Sequence, residues 1–230
     1  METTHLPFQG FNEYAPVRIY HRNLPHWRQD GCSYFVTFRL ADSIPRSVIE
    51  GWEEERRTWF HAWGLDGDLP AEDFQSRYLA IPEKYRISYE RERMAKPLRE
   101  LDKCHGSCIL RNTQYAQPLA SAMRHFDGIR LQCGDFAIMP NHVHWVIMPL
   151  PGFELEKLLQ GIKSYVSTLL GKMNKQMKGK LWQGEAYDRC IRDRQELDRT
   201  RVYIENNPSR AKLRDDEYIY HRAGWLDYKP

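Results

Sequence analysis

Met139-Pro-Asn-His-Val-His-Trp-Val-Ile-Met-Pro149 sets two histidines, His142 and His144, on either side of one valine in a run otherwise made of Val, Ile, Trp and Met. A β-branched and aromatic run of this kind reads as a buried strand. Side chains alternate along a strand, so His142 and His144 project from one face while Val143 and Trp145 enter the other. Two imidazoles so placed can share a divalent ion. In a chain with nine histidines the plainer reading of His-x-His is a chance pair, each ring hydrogen-bonded within a core. The choice turns on whether other residues supply a third ligand and a nucleophile.

Working outward, Ile129 to Met139 reads as a preceding strand, joined to His142–Met148 through the turn pair Pro140-Asn141. Before it, Ala116, Leu119, Ala120 and Met123 mark one side of a helix from Asn112 to Phe126, stopped by Asp127-Gly128. Ser33 to Leu40 is a first strand. Ser47-Val-Ile-Glu50 has capping-box spacing, and Ile49, Trp52, Arg56, Trp59 and Trp63 continue a helical stripe to Gly64. Residues 64 to 108 read as an insertion with a weak helix over 87 to 101. Beyond the histidines, the apolar period from Leu155 to Met173 is the clearest helix in the chain. Leu181 to Asp193 follows as a last strand. Gln195 to Asn207 is a closing helix, ended by Pro208 because a proline disfavours helical geometry at the residue before it. The order predicts an α+β protein with a ferredoxin-like β-α-β-β-α-β core, an antiparallel sheet with helices on one face. Residues 1–30 form an irregular arm in this reading, 31–214 a single domain carrying the 64–108 insertion, and 215–230 a tail.

Length and composition fit this. At 230 residues, with 41% hydrophobic and 28% charged residues, the chain can bury one core. It has no run of 18 apolar residues and no apolar stretch behind Met1, so neither a membrane span nor a signal peptide is expected, and the location expected is the cytoplasm. Five scattered cysteines without C-x-x-C suit reduced thiols; Cys104-His-Gly-Ser-Cys108 has no second pair at zinc-finger spacing. Residues 157–214 hold 14 Lys and Arg against six Asp and Glu, net +8, which leaves 20 against 25, or −5, for the remainder. Such asymmetry beside the histidine pair points to a polyanionic partner. Tyr165, Trp182, Tyr187 and Tyr203, interleaved with the basic residues, turn the reading toward nucleic acid. Lys163, Trp182, Gln183, Arg189, Arg192 and Arg194 are the candidate DNA contacts, although a Trp at a strand edge among polar neighbours reads equally well as packing.

The closing helix carries a second constellation, Tyr203-Ile-Glu-Asn-Asn207-Pro208. Tyr203 and Asn207 are four apart and share a helix face. An Asn amide oxygen can join two imidazoles around Mg or Mn, and a tyrosine beside a metal-polarised phosphate can attack phosphorus. A packed tyrosine and a helix-terminal asparagine are the structural alternatives. Tyr165, two residues after Lys163, is a rival nucleophile, but it borders the apolar stripe and has no ligand four residues on.

His142-Val-His144, the helix with Tyr203-x-x-x-Asn207-Pro208, and Trp182-Gln183 between them resemble the single-tyrosine HUH transposases, and within them the REP-associated tyrosine transposases. The resemblance runs from Tyr34 to about Leu213 and includes Phe35-Val-Thr-Phe-Arg-Leu-Ala-Asp42, the run from Leu101 to Arg111, and His125-Phe-Asp-Gly-Ile-Arg130. The 64–108 segment departs from the family's small core. The resemblance implies a nuclease and strand transferase acting on single-stranded or hairpin DNA of palindromic repeats. It makes Tyr203 the nucleophile on a catalytic helix, forming a 5′-phosphotyrosine, with His142, His144 and Asn207 around Mg or Mn. It implies no nucleotide cofactor, because the phosphotyrosine keeps the energy of the broken bond; monomer and homodimer are both left open. Two other classes stand beside it: a hairpin-binding protein that does not cut, and a metallo-phosphoesterase that activates water.

Overall fold

The computed structural model describes residues 5–21, 25–65, 69–175 and 179–227. The ends of the expected arm and tail, and residues 176–178 of the Lys/Gly-rich loop, lie outside the described residues. Two strands near the N-terminus, β1 (Arg18–His21) and β2 (Pro25–Arg28), pair with each other as an antiparallel ribbon. The expected irregular arm therefore contains a hairpin. Its flanks join the main sheet through backbone bonds, Phe11 N–H to the Ile191 carbonyl at 2.9 Å and Ser33 N–H to the Gln9 carbonyl at 2.8 Å. Side-chain alternation is too short there to register in the sequence.

The main sheet begins with β3 (Tyr34–Arg39). The chain then enters three helices, α1 (Arg46–Ala62), α2 (Ala71–Ala80) and α3 (Glu83–Leu101), within a separate compact unit spanning Ile44–Gly106. The insertion thus starts before the expected boundary and takes in the first helix. Trp59 stacks on Tyr89 with centroids 4.0 Å apart, Phe60 meets Phe74 edge-on at 5.5 Å, and Trp63 contacts Tyr85 at 5.4 Å. The stripe on α1 was legible, but periodicity shows that a face is covered and not by what. The Ser47–Glu50 capping box does not form: α1 starts at Arg46 behind Pro45, without a side-chain cap, and Glu50 pairs with Arg46.

The chain returns through α4 (Thr113–Arg124), capped by Asn112 accepting from the Gln114 N–H. Then come β4 (Leu131–Ile138), β5 (His142–Pro149), α5 (Leu155–Met173), β6 (Tyr187–Cys190), α6 (Arg194–Arg210) and β7 (Ile219–His221). The strand order β6-β3-β5-β4-β7 is antiparallel throughout. Its first four members are the interleaved order of a split β-α-β ferredoxin-like sheet, with α4 and α5 as crossovers. The expected final strand is shorter than read: Trp182 makes only a lone bridge to Leu40, and regular pairing starts at Tyr187. The expected tail supplies an edge strand, with Ile138 opposite Ile219 and Phe136 opposite His221. Three residues are too few to show a period.

Both sheet faces are covered. Tyr34, Val36, Phe38, Val143, Trp145 and Ile147 join the apolar sides of α4 and α5 in one cluster. Phe35, Ala137, Met139 and Val146 meet Leu197 and Ile204 of α6, with Ala223 and Leu226 from the C-terminal segment, in the other. The crossover helices share one face as expected, but α6 lies on the opposite one. The sheet bends at a register shift between Cys133 and Phe136, where a Cβ on Gly134 would stand 2.5 Å from the Val146 carbonyl oxygen. Pro208 does not end α6, which continues to Arg210. A proline that close to a C-terminus removes one backbone donor and leaves little helix beyond to disrupt.

What sets α6 on the sheet is a buried ion pair. Arg201 Nε donates to Asp135 Oδ2 at 2.8 Å, its Nη1 donates to Asp227 at 2.8 Å, and the other Asp135 oxygen accepts the Ala223 N–H at 2.8 Å. Asp135→Ala strands a buried guanidinium with only Asp227 left, and the expected loss is about 3 kcal/mol, the low end for breaking a buried pair. Urea unfolding of the variant beside wild type measures it.

Candidate active site

The register of β3 on β5 sets Thr37 opposite His144 and Arg39 opposite His142. On this face the two imidazoles are fully buried with Nε2 atoms 3.0 Å apart. Each is held from behind. His142 Nδ1 lies 2.7 Å from Asn141 Oδ1, and His144 Nδ1 lies 2.8 Å from Thr37 Oγ1. Asn141 Oδ1 only accepts, so the His142 proton sits on Nδ1 and Nε2 presents a lone pair. The Thr37 hydroxyl can donate or accept. His144 can therefore offer an Nε2–H to His142, or a second lone pair beside it. Such orienting partners fix the tautomer of ligating histidines. Sequence reasoning missed both: Thr37 looked like one more β-branched strand residue, and Asn141 like a turn residue.

Helix α6 brings in the remaining parts. Its start is fixed by Asp193, which accepts the Glu196 N–H at 2.7 Å, while Glu196 accepts the Arg192 N–H at 2.8 Å. That Asp-x-x-Glu spacing was present in the sequence and is the capping motif the fold uses. Tyr203 OH lies 3.4 Å from His144 Nε2. Its ring stands perpendicular to Phe35 at 5.9 Å, and Phe35 stacks on His144 at 5.7 Å, so the phenol is held between the sheet and the histidine. One turn on, Asn207 is fully buried, and neither amide atom has a hydrogen-bond partner among the described residues. A buried amide without partners is rare and calls for an explanation. A cation held by His142, His144 and the Asn207 oxygen would provide one, and two neutral nitrogens with one amide oxygen leave positions open for phosphate oxygens. Among the described residues no three of His, Cys, Asp and Glu converge on a metal site, and His105 lies 2.9 Å from Glu100.

The remaining candidates scatter. Tyr165, 59% exposed, sits on α5 across the sheet from the histidines and cannot share their chemistry. Trp182 is 3% exposed, packs edge-on against Phe38 at 5.3 Å and donates its indole N–H to the Lys163 carbonyl at 3.1 Å. It is a core residue, and no base can stack on it. Lys163 is tied to the Gln183 and Gly184 carbonyls at 2.6 and 3.2 Å, and burial together with Lys180 pushes its pKa down to about 8. Gln183 lies partly buried beside them, also on the α5 side. Arg189 pairs with Glu196, and Arg194 with Asp198 at 3.1 Å; Arg192 is exposed. Among the described residues five of the segment's basic side chains, Lys157, Arg189, Arg194, Arg201 and Arg214, stand in ion pairs, and the segment is split between the two faces. Glu205 and Asn206 face solvent, as their positions on the helix imply.

Burial lowers the pKa of His142 to about 3, and that of His144 well below its ordinary value with help from His142 and Arg210. Both rings are neutral in the fold, whereas in the unfolded chain they gain protons below about pH 6.5. Their contribution to stability is complete above that pH and drains away as pH falls toward 3. Denaturant midpoints measured from pH 7.5 to 4 should fall, and His142→Gln should flatten part of the decline.

Residues 114–207, which contain both histidines, Tyr203 and Asn207, match the sequence model of the IS200-like transposases. The match bears out the family resemblance read from the sequence. No curated protein matches the chain. It is similar to a solved structure described as a REP-associated tyrosine transposase bound to a REP hairpin, at 16% identity and a TM-score of 0.45, over 83% of this chain and 72% of that one.

Proposed function

We propose that this chain, whose residues 114–207 match the IS200-like transposases, cleaves and rejoins single-stranded or hairpin DNA through Tyr203. The observation that carries the reading is the Tyr203 hydroxyl 3.4 Å from His144 Nε2, with His142 Nε2 3.0 Å further on, inside a buried pocket of neutral nitrogens. No packing requirement asks for three such groups side by side. The Tyr203 phenol gives up its proton to water, its oxygen forms a bond to phosphorus, and the P–O3′ bond breaks. The departing oxygen becomes a 3′-hydroxyl with a proton from water, and a 5′-phosphotyrosine remains. In the return step a 3′-hydroxyl attacks that phosphorus and restores the tyrosine, so no nucleotide is consumed. His142, His144 and Asn207 are the residues that would hold Mg or Mn, which when bound supplies charge neutralisation at the phosphate oxygens. Phe35 and His144 restrain the phenol ring so that few rotamers are lost on approach to phosphorus. The strand and helix elements over 31–214 serve as the nuclease domain in this proposal, interrupted by the 44–106 unit.

Among the described residues no helix is long and apolar enough to cross a membrane. The substrate class follows from the chemistry of the site. An exposed basic face does not carry it, since the basic residues of the 157–214 segment are split between the two sheet faces and Lys163 is bound to backbone carbonyls away from the tyrosine.

The direct test incubates the protein with end-labelled hairpin oligonucleotides and Mg or Mn, then separates products on a denaturing gel. A covalent adduct that vanishes in Tyr203→Phe is expected. Cleavage without an adduct would move the assignment to a water-activating phosphoesterase, and binding without cleavage to a recognition protein. A second measurement addresses the ligands. Thr37→Val removes the group that orients His144, and Mn titration should show an affinity roughly 10- to 100-fold lower.

A further inference from the structure

Buried arginines in this fold come with carboxylates. Arg28 is held by Asp188 and by Glu156, the latter at 2.8 Å, and Arg201 by Asp135 and Asp227. Arg39 does not follow the pattern. It is the last residue of β3 and the cross-strand partner of His142, on the same sheet face as Phe35 and Thr37. Its guanidinium is partly buried, and its polar contact among the described residues is the Ser43 hydroxyl at 3.1 Å. Burial lowers its pKa with no acid to offset the effect. A cation withdrawn from water without a counter-ion is costly, and folds keep such a group where an anion will arrive. A second unpaired arginine approaches from the helix side. The Arg210 guanidinium lies 5.6 Å from the centre of the Tyr203 ring, and no carboxylate pairs with it among the described residues.

We propose that Arg39 and Arg210 bind the phosphodiester that Tyr203 attacks, one beside His142 and the other over the tyrosine, as a pair of guanidinium groups flanking the reacting phosphorus. The proposal rests on the tyrosine-nuclease reading and adds to it the groups that position and neutralise the substrate. A planar guanidinium donates two parallel N–H bonds to a phosphate, which fixes orientation as well as charge. Attack on phosphorus adds negative charge to its non-bridging oxygens, and fixed cations on both sides favour that state over the ground state. Lys163, Arg189 and Arg194 cannot replace them, because each is already committed to a carbonyl or a carboxylate.

The test uses Tyr203→Phe protein, which cannot react, and labelled single-stranded oligonucleotides carrying one uncharged methylphosphonate at each position in turn. Without added metal, Arg39→Gln and Arg210→Gln should each bind the unmodified strand about tenfold more weakly, the range of a lost charge-assisted contact. Each should also show a salt dependence shallower by about 0.7 in slope. One methylphosphonate position should weaken the parent protein by a similar factor and leave the Gln variants unaffected. Arg39→Lys, which keeps the charge and loses the fork, should fall between. Unchanged affinity and slope in both Gln variants, or a methylphosphonate penalty that persists in them, would overturn the proposal. If Arg39→Gln does not fold, Arg210→Gln, on an exposed side chain, decides alone. Adduct formation by the unmutated enzyme reports separately on the tyrosine: an adduct with normal DNA binding by the arginine variants sinks this proposal only. Weakened binding with no adduct anywhere sinks the nuclease reading and leaves an anion site.

Discussion

Everything at the histidine face depends on the antiparallel register between β3 and β5. Cross-strand pairing brings Thr37 against His144 and Arg39 against His142, and the same alternation sends Val143 and Trp145 into the α4/α5 cluster. A slip of one residue would exchange the faces, placing both imidazoles in an apolar layer and Trp145 in the site. The register is therefore under double constraint, from the core on one side and from the hydrogen bonds to Nδ1 on the other. The Thr37 hydroxyl is the point where the two meet: it belongs to a core strand and it sets what His144 can offer.

The second constraint is the placement of α6. Its apolar residues Leu197 and Ile204 rest on Phe35, Ala137, Met139 and Val146, and the Asp135–Arg201 pair fixes its register along the sheet. Tyr203 then reaches His144, and Asn207 is buried one turn further along the same helix. The C-terminal segment takes part in this, since Asp227 and the Ala223 N–H complete the same network. A residue remote from the histidines thus controls where Tyr203 stands. The Asp193–Glu196 cap at the other end of the helix holds its first turn in the same way.

Electrostatics on the molecule are more local than the composition suggests. The net +8 over 157–214 is real, but it is spread over both sheet faces, five of its basic side chains stand in ion pairs, and Lys163 serves two backbone carbonyls on the side away from the tyrosine. Near the histidines, Arg39 and Arg210 have no carboxylate partner among the described residues, and Arg39 lies outside the basic segment altogether. Local charge left without a counter-ion beside a cluster of reactive groups says more about a ligand than a sum along the chain does.

That His142 and His144 share one strand face, and Tyr203 and Asn207 one helix face, was legible from the sequence because strand and helix periodicities dictate which side chains share a face within one element. The β-hairpin, the long α5 helix and the ferredoxin-like order followed from the same local rules. Contacts between elements were not legible. No period reveals that Thr37 lies behind His144, that the aromatic stripe of α1 belongs to a separate unit, or that three residues near the C-terminus close the sheet. Burial by partners distant in the chain also turned Trp182 from a candidate DNA platform into core and placed Tyr165 on the far side of the sheet. Sequence fixes the faces of each element through bonded geometry; only packing, which depends on every element at once, decides what each face meets.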